Sequence, residues 1–225
     1  MDLASYIDHT LLSTEATKAQ IINHCTEAIE NGFHSVCVWP EWTRLAADIV
    51  YGTNVKVDAV VGFPLGTETP EVKAAQAKDM IFAGADEIEM VADPVAIAEG
   101  NREALVKDLK SVLDVCRSVR PAVALKVIIE SASLTDEQIV FACETAQQVG
   151  VDFIKTSTGL HAAGGAEAKD VRLMAESAPA CKIKAAGGIR TAEQAAEMIA
   201  AGASRIGTSA SIQIIKEYDK AFGGA

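Results

Sequence analysis

The chain is predicted to be an α/β protein folding as a single-domain (β/α)8 TIM barrel, on three observations. Lys126, Lys155 and Lys184 sit in otherwise apolar segments, each 29 residues after the last, an interval that holds about one strand, one helix and two short loops. Gly32, Gly84, Gly150 and Gly202 each follow an amphipathic helical stretch, as a left-handed helix terminus does, and each precedes a β-rich run. Strand and helix patterns alternate with short connections along all 225 residues, which argues for right-handed βαβ units in a parallel sheet. An open doubly wound sheet is the alternative, but the Gly-rich turn that often follows the first strand of nucleotide-binding sheets is absent.

The elements follow in order. Residues 6–10 read as the first strand, and residues 14–30 as a helix ending at Gly32. Four residues beyond that glycine, Val36 lies in the second strand; the β-branched run 57–61 is the third. A helix over 71–83 ends at Gly84, and Ile88 lies in the fourth strand. A helix over 102–119 leads to the fifth strand within 122–129. Thr135-x-x-Gln138 is a capping box opening a helix over 136–149 that ends at Gly150, with Ile154 in the sixth strand. A helix over 166–177 precedes the seventh strand, 182–185. Thr191-x-x-Gln194 opens a helix over 191–201 that ends at Gly202, and Ile206 lies in the eighth strand, before the last helix. With 49% hydrophobic residues and no linker or low-complexity stretch, residues 1–225 are expected to form one domain.

Val36, Ile88, Ile154 and Ile206 are β-branched and apolar, as residues facing covering helices should be. Strand alternation then points Cys37, Glu89, Lys155 and Gly207 to the barrel interior. Equal spacing is expected to place Lys126, Lys155 and Lys184 at equivalent points of strands five, six and seven. Crowded ammonium groups disfavour one another's charge and leave one amine neutral enough to attack a carbonyl. Strand seven runs into Ala186-Gly187-Gly188-Ile189-Arg190 and strand eight into Gly207-Thr208-Ser209-Ala210-Ser211, where barrels often hold phosphate. Each feature also has a plainer reading. One such lysine alone could simply extend its head to solvent, Gly187-Gly188 could be only a tight turn, and Glu89 could pair with a lysine rather than move protons.

Composition narrows the function. A formal net charge of −11 with no basic run predicts no nucleic-acid partner. Met1-Asp2-Leu3-Ala4 lacks the basic-then-apolar pattern of a signal, and no apolar run reaches spanning length, so neither export nor a membrane is expected. Cys25, Cys37, Cys116, Cys143 and Cys181 form no C-x-x-C pair, which predicts neither zinc nor disulfides and a cytoplasmic location. Cys37 reads as a small core residue, and His9, His24, His34 and His161 as structural or solvent-exposed. No metal and no organic cofactor are expected.

Ile7-Asp8-His9-Thr10-Leu11-Leu12, Val61-Gly62-Phe63-Pro64-Leu65-Gly66, Gly84-Ala85-Asp86-Glu87-Ile88, Leu125-Lys126-Val127-Ile128-Ile129-Glu130, Lys155-Thr156-Ser157-Thr158-Gly159 and Lys184-Ala185-Ala186-Gly187-Gly188-Ile189-Arg190 together resemble the deoxyribose-phosphate aldolase family, from about Ile7 to Ser211. The resemblance implies a class I aldolase that cleaves 2-deoxyribose 5-phosphate to glyceraldehyde 3-phosphate and acetaldehyde. It gives Lys155 the Schiff base, and Lys184 the tuning of its partner and proton transfer, with Asp8 in support. It assigns Thr10 and Lys126 to substrate contact, and Gly159, Gly187, Gly188, Gly207 and Ser209 to the pocket that takes the phosphate. It also implies a homodimer or homotetramer.

One departure stands out: the family usually has aspartate where this chain has Glu89, a proton-transfer position. The extra methylene moves the carboxylate by roughly an ångström, a displacement that can cost about a hundredfold in rate. Some members also end in a tyrosine near the substrate, whereas this chain ends Phe222-Gly223-Gly224-Ala225. Two alternatives stay open: another lysine-dependent phosphosugar aldolase, and a non-catalytic phosphosugar-binding barrel.

Overall fold

In the computed structural model, which describes residues 2–222, eight parallel strands pair in chain order and close on themselves. They are β1 (Ile7–Leu11), β2 (Ser35–Val38), β3 (Lys56–Val61), β4 (Glu87–Val91), β5 (Ala124–Ile128), β6 (Phe153–Lys155), β7 (Lys182–Ala186) and β8 (Ala203–Thr208). Around them run α1 (Lys18–Asn31), α2 (Thr43–Val50), α3 (Pro70–Ala83), α4 (Pro94–Ala98), α5 (Arg102–Arg117), α6 (Asp136–Val149), α7 (Ala168–Ser177), α8 (Ala192–Ala200) and α9 (Ser211–Phe222). Residues 1 and 223–225, and with them the chain end discussed above, lie outside the described residues.

The glycine register has its physical cause in the helix ends. Gly32, Gly84 and Gly150 take left-handed backbone after α1, α3 and α6, and each donates its N–H to carbonyls of the last turn. Val36, Ile88, Ile154 and Ile206 are fully buried in the core between sheet and helices. Boundaries differ from the sequence expectation where a cap decides them. Helix α1 begins at Lys18, because Thr17 and Gln20 close a capping box that the expected start at residue 14 overlooked. Helix α7, which has no side-chain cap, begins at Ala168, two residues late. Helices α2 and α4 were not anticipated; both are short, α2 following a turn that contains Pro40 and α4 opening on Pro94, and neither is long enough to show a clear period.

The equal lysine spacing needs a correction. Lys155 pairs with Lys184 across β6 and β7, but on β5 its partner is Ile128, while Lys126 pairs with Phe153. Lys126 therefore stands two residues deeper. Closing a barrel staggers strand against strand, and an interval made largely of helix and loop carries no record of that stagger.

Inward positions fall into layers contributed by alternate strands. Odd strands supply Asp8, Asp58, Lys126 and Lys184; even strands supply Cys37, Glu89, Lys155 and Gly207 above them, and Ser35, Glu87, Phe153 and Arg205 beneath. A barrel centre is ordinarily filled by branched apolar side chains. Here it holds four carboxylates and four cations.

Candidate active site

Charges confined to a dry interior must satisfy one another, and the bonds run through the barrel without a break. At the bottom, Arg205 Nη1 lies 2.9 Å from Asp8 Oδ1 and 3.4 Å from Glu87 Oε2. Lys126 Nζ reaches Asp58 at 2.6 Å, Glu87 at 2.6 Å and Asp8 at 2.7 Å. Lys184 Nζ reaches Asp8 Oδ2 at 2.5 Å and also bonds Glu89 Oε1. Lys155 Nζ lies 2.5 Å from Glu89 Oε2. Glu89 thus bridges two lysines with its two oxygens.

These contacts reverse one expectation. The amines were expected to lower one another's pKa, but burial, which would lower them, is outweighed by the carboxylates: Lys126 is held well above its ordinary value by Asp58, Asp8 and Glu87, and Lys184 is raised by Asp8 and Glu89. Burial would raise the Glu89 carboxyl, yet Lys155 and Lys184 hold it well below the usual range. Asp8 is held low against burial by Lys126 and Lys184. Glu87 likewise falls to about 2, chiefly through Lys126.

Asp58 differs from the other three. Burial and the neighbouring Glu89 push it up to about 7, and its Oδ1 has no hydrogen-bond partner. A carboxyl raised in the folded state binds protons there that the unfolded chain has released, so between about pH 4 and 7 it lowers stability as pH rises. Replacing it by Asn removes that penalty. We expect the stability of Asp58→Asn relative to the parent to increase from pH 4 to pH 7 in urea titrations; a difference independent of pH would show that Asp58 is ionised throughout.

Above the charged layers a cavity of about 390 Å³ opens at the carboxyl ends of the strands. Of the residues singled out from the sequence, Thr10, Lys155, Gly159, Gly187, Gly188, Gly207 and Ser209 line it. Glu89, Lys184 and Asp8 do not; they lie beneath, fully buried, with Glu89 bonded to the cavity-lining Lys155, Asp8 O accepting from the cavity-lining Thr10, and Lys184 under Gly207. Lys126, expected to touch substrate, is fully buried among Asp8, Asp58 and Glu87 and does not reach the cavity. Its deeper register is the reason.

The glycines make room. A Cβ at Gly207 would come within 2.9 Å of Lys184 Cε and 3.0 Å of Ala186 Cβ. One at Gly187, which has φ 91°, would meet Gly165 Cα at 2.9 Å and Gly159 Cα at 3.4 Å. The loop after β6 thus meets the turn after β7 backbone to backbone, and α9 begins two residues after Ser209. Such a junction offers amides and a helix terminus to an anion. Arg190 lines the same cavity and adds a cation that sequence reasoning passed over.

The turn after Lys155 is held from β5. Ile129 N–H donates to Lys155 O at 3.1 Å and Ser131 N–H to Thr156 O at 2.8 Å. Between them Glu130 adopts φ 59°, ψ 54°, the one non-glycine residue with positive φ among the described residues, at a cost of roughly 1–2 kcal/mol. Its carboxylate accepts from Thr158 Oγ1 at 2.7 Å and Thr158 N–H at 3.2 Å.

Sequence reasoning also missed Asp58, Glu87 and Arg205. Glu87 and Arg205 sit two residues before Glu89 and Gly207 on the same strand faces, so extending the alternation would have found them. His9 and His24 are buried and stacked, with centroids 3.8 Å apart, and come near Glu27. His9 bonds Ser211 Oγ at 2.8 Å and Glu27 at 3.2 Å, and His24 bonds His9 O at 3.1 Å. His34 bonds Glu87 at 3.1 Å, and His161 is exposed.

A family profile described as DeoC/LacD family aldolase matches residues 3–214. A deoxyribose-phosphate aldolase of Geobacillus sp. (strain WCH70) is 46% identical over 216 residues, 96% of this chain and 95% of the relative. One of Macrococcus caseolyticus is 49% identical over 217 residues, 96% of each chain. The solved structure of a deoxyribose phosphate aldolase from Aeropyrum pernix, described as tetrameric, superimposes with a TM-score of 0.89 at 31% identity, covering 97% of this chain and 92% of that one.

Proposed function

The chain belongs to the DeoC/LacD aldolase family, and from that premise we propose that it cleaves 2-deoxy-D-ribose 5-phosphate reversibly to D-glyceraldehyde 3-phosphate and acetaldehyde through a Schiff base on Lys155. The observation that carries the reading is the position of this amine. Of the three interior lysines it alone lines the cavity, with its Nζ on Glu89.

Lys155 must shed a proton before it can attack, since an ordinary lysine keeps only a small fraction of a per cent as free amine at neutral pH. Glu89 makes this tolerable, because Lys184 stays on its other oxygen and the buried carboxylate is not left unpaired when Lys155 becomes neutral. The amine then adds to C1 of the open-chain sugar, and loss of water leaves an iminium. The C3 hydroxyl passes its proton to Glu89, the carboxylate beside the Lys155 nitrogen, the C2–C3 bond breaks, and its electron pair moves through C2 to the iminium nitrogen, forming an enamine. Glyceraldehyde 3-phosphate departs. Protonation at C2, drawing on the Glu89 and Lys184 pair with Asp8 behind it, regenerates an iminium whose hydrolysis frees acetaldehyde and the amine. Positioned acid–base groups of this kind contribute about 10²- to 10⁴-fold.

The phosphate is placed against Gly159, Gly187, Gly188, Gly207 and Ser209, with Arg190 supplying local positive charge in a chain of net charge −11. Thr10, at the cavity wall and donating its hydroxyl to Asp8 O at 2.9 Å, takes the sugar side. The chemistry requires neither metal nor organic cofactor. A homodimer or homotetramer is the assembly we favour, given the tetrameric relative, and a cytoplasmic setting suits five free cysteines. No helix of the described residues is long and apolar enough to cross a membrane.

Borohydride reduction after incubation with 2-deoxyribose 5-phosphate, followed by peptide mass mapping, tests the assignment. An ethyl increment on Lys155 is expected. A larger adduct that varies with the sugar offered would indicate a different lysine aldolase, and no adduct with binding intact would indicate a non-catalytic barrel.

A further inference from the structure

We infer that Glu130 is a positioning residue for the phosphate end of the substrate: its carboxylate, held in a strained backbone, fixes the turn that presents Gly159 to the cavity. This rests on the reading of the Gly159, Gly187 and Gly188 junction as the phosphate site. The Lys-Thr-Ser-Thr-Gly run leaves the sheet at Lys155, the last residue of β6. Its first part is tied by backbone bonds, Thr156 N–H to Lys184 O at 3.0 Å and Ser131 N–H to Thr156 O at 2.8 Å. Beyond Thr156 the next backbone tie from this loop to a neighbouring strand end is Ala166 N–H to Gly187 O at 3.0 Å. Thr158 is then held by Glu130 through both its N–H and its hydroxyl, and the same hydroxyl accepts from Leu160 N–H at 3.2 Å. Glu130 therefore clamps both sides of Gly159, directly at residue 158 and through the threonine at residue 160.

Two features argue that this clamp serves the ligand rather than the fold. Glycine at position 130 would relieve the left-handed backbone, yet the residue there carries a long acidic arm. An anionic group close to a phosphate pocket opposes phosphate binding by Coulomb's law, so its benefit must be geometric. The two effects have opposite signs, which makes the inference testable.

The test compares Glu130→Gln, which keeps the reach and an accepting oxygen, with Glu130→Gly, which frees the backbone and loses the arm. Calorimetric Kd for inorganic phosphate and KM for 2-deoxyribose 5-phosphate are expected to rise together by on the order of tenfold in Glu130→Gly, with kcat lowered by a smaller factor and Glu130→Gln affected less. If the glycine variant does not fold, Glu130→Asn replaces it; asparagine tolerates left-handed backbone and is too short to reach Thr158. Phosphate affinity unchanged or tightened, or kcat lowered as far as affinity, would overturn the inference. Because the calorimetry does not depend on turnover, failure of the aldolase reading would leave this test standing.

Discussion

Lys155→Ala is expected to lower turnover of 2-deoxyribose 5-phosphate by on the order of 10⁴-fold or more, the scale seen when an enzyme loses its nucleophile, and to abolish borohydride trapping. Lys184→Leu, by contrast, should leave measurable turnover and some trapped adduct. The difference follows from where the amines stand. Lys155 lines the cavity and is the one that can bond to carbon; Lys184 is fully buried beneath it and acts through Glu89 and Asp8. Equal residual activity in the two variants, measured by coupled assay of glyceraldehyde 3-phosphate, would reverse or merge these roles.

The largest effect on stability is expected from a residue that never meets the substrate. Lys126→Met removes the cation shared by Asp8, Asp58 and Glu87, and breaking a buried ion network by deleting one partner costs about 3–5 kcal/mol. The pH dependence identifies the cause. In the parent, Asp8 and Glu87 titrate below their unfolded values largely because of Lys126. They therefore contribute stability above about pH 4 that is lost as pH falls through their folded values. Without the lysine, burial pushes the same carboxyls upward, so that contribution disappears. The deficit of the variant should be greatest near neutrality and shrink toward pH 4 in urea unfolding experiments. A deficit constant with pH would point to lost packing instead of unpaired charge.

What the sequence reveals and what it hides divide along a physical line. The inward placement of Cys37, Glu89, Lys155 and Gly207 is legible because a strand alternates strictly and the helix-ending glycines set its phase. The phosphate turns are legible because backbone junctions of this closeness demand glycine. The level of Lys126 is not legible, since stagger is a property of the closed sheet and leaves no trace in residue counting. Nor is the pKa direction of Lys126 and Lys184, which depends on how closely carboxylates from β1, β3 and β4 approach them in the closed barrel. Helix α2 escapes for a smaller reason, as eight residues behind a proline turn show too little period.

The barrel centre sets four acids against four bases, so the formal net charge of −11 falls on residues outside it. Dissolved ions can screen only what they can approach, over about 8 Å at physiological strength. The molecule therefore keeps two electrostatic climates: an exterior that repels anionic metabolites and relaxes as salt is added, and an interior almost closed to solvent whose charges salt hardly reaches. For a sugar phosphate approaching this surface, added salt eases the encounter, while the groups that perform the chemistry see nearly the same field in dilute buffer as in brine.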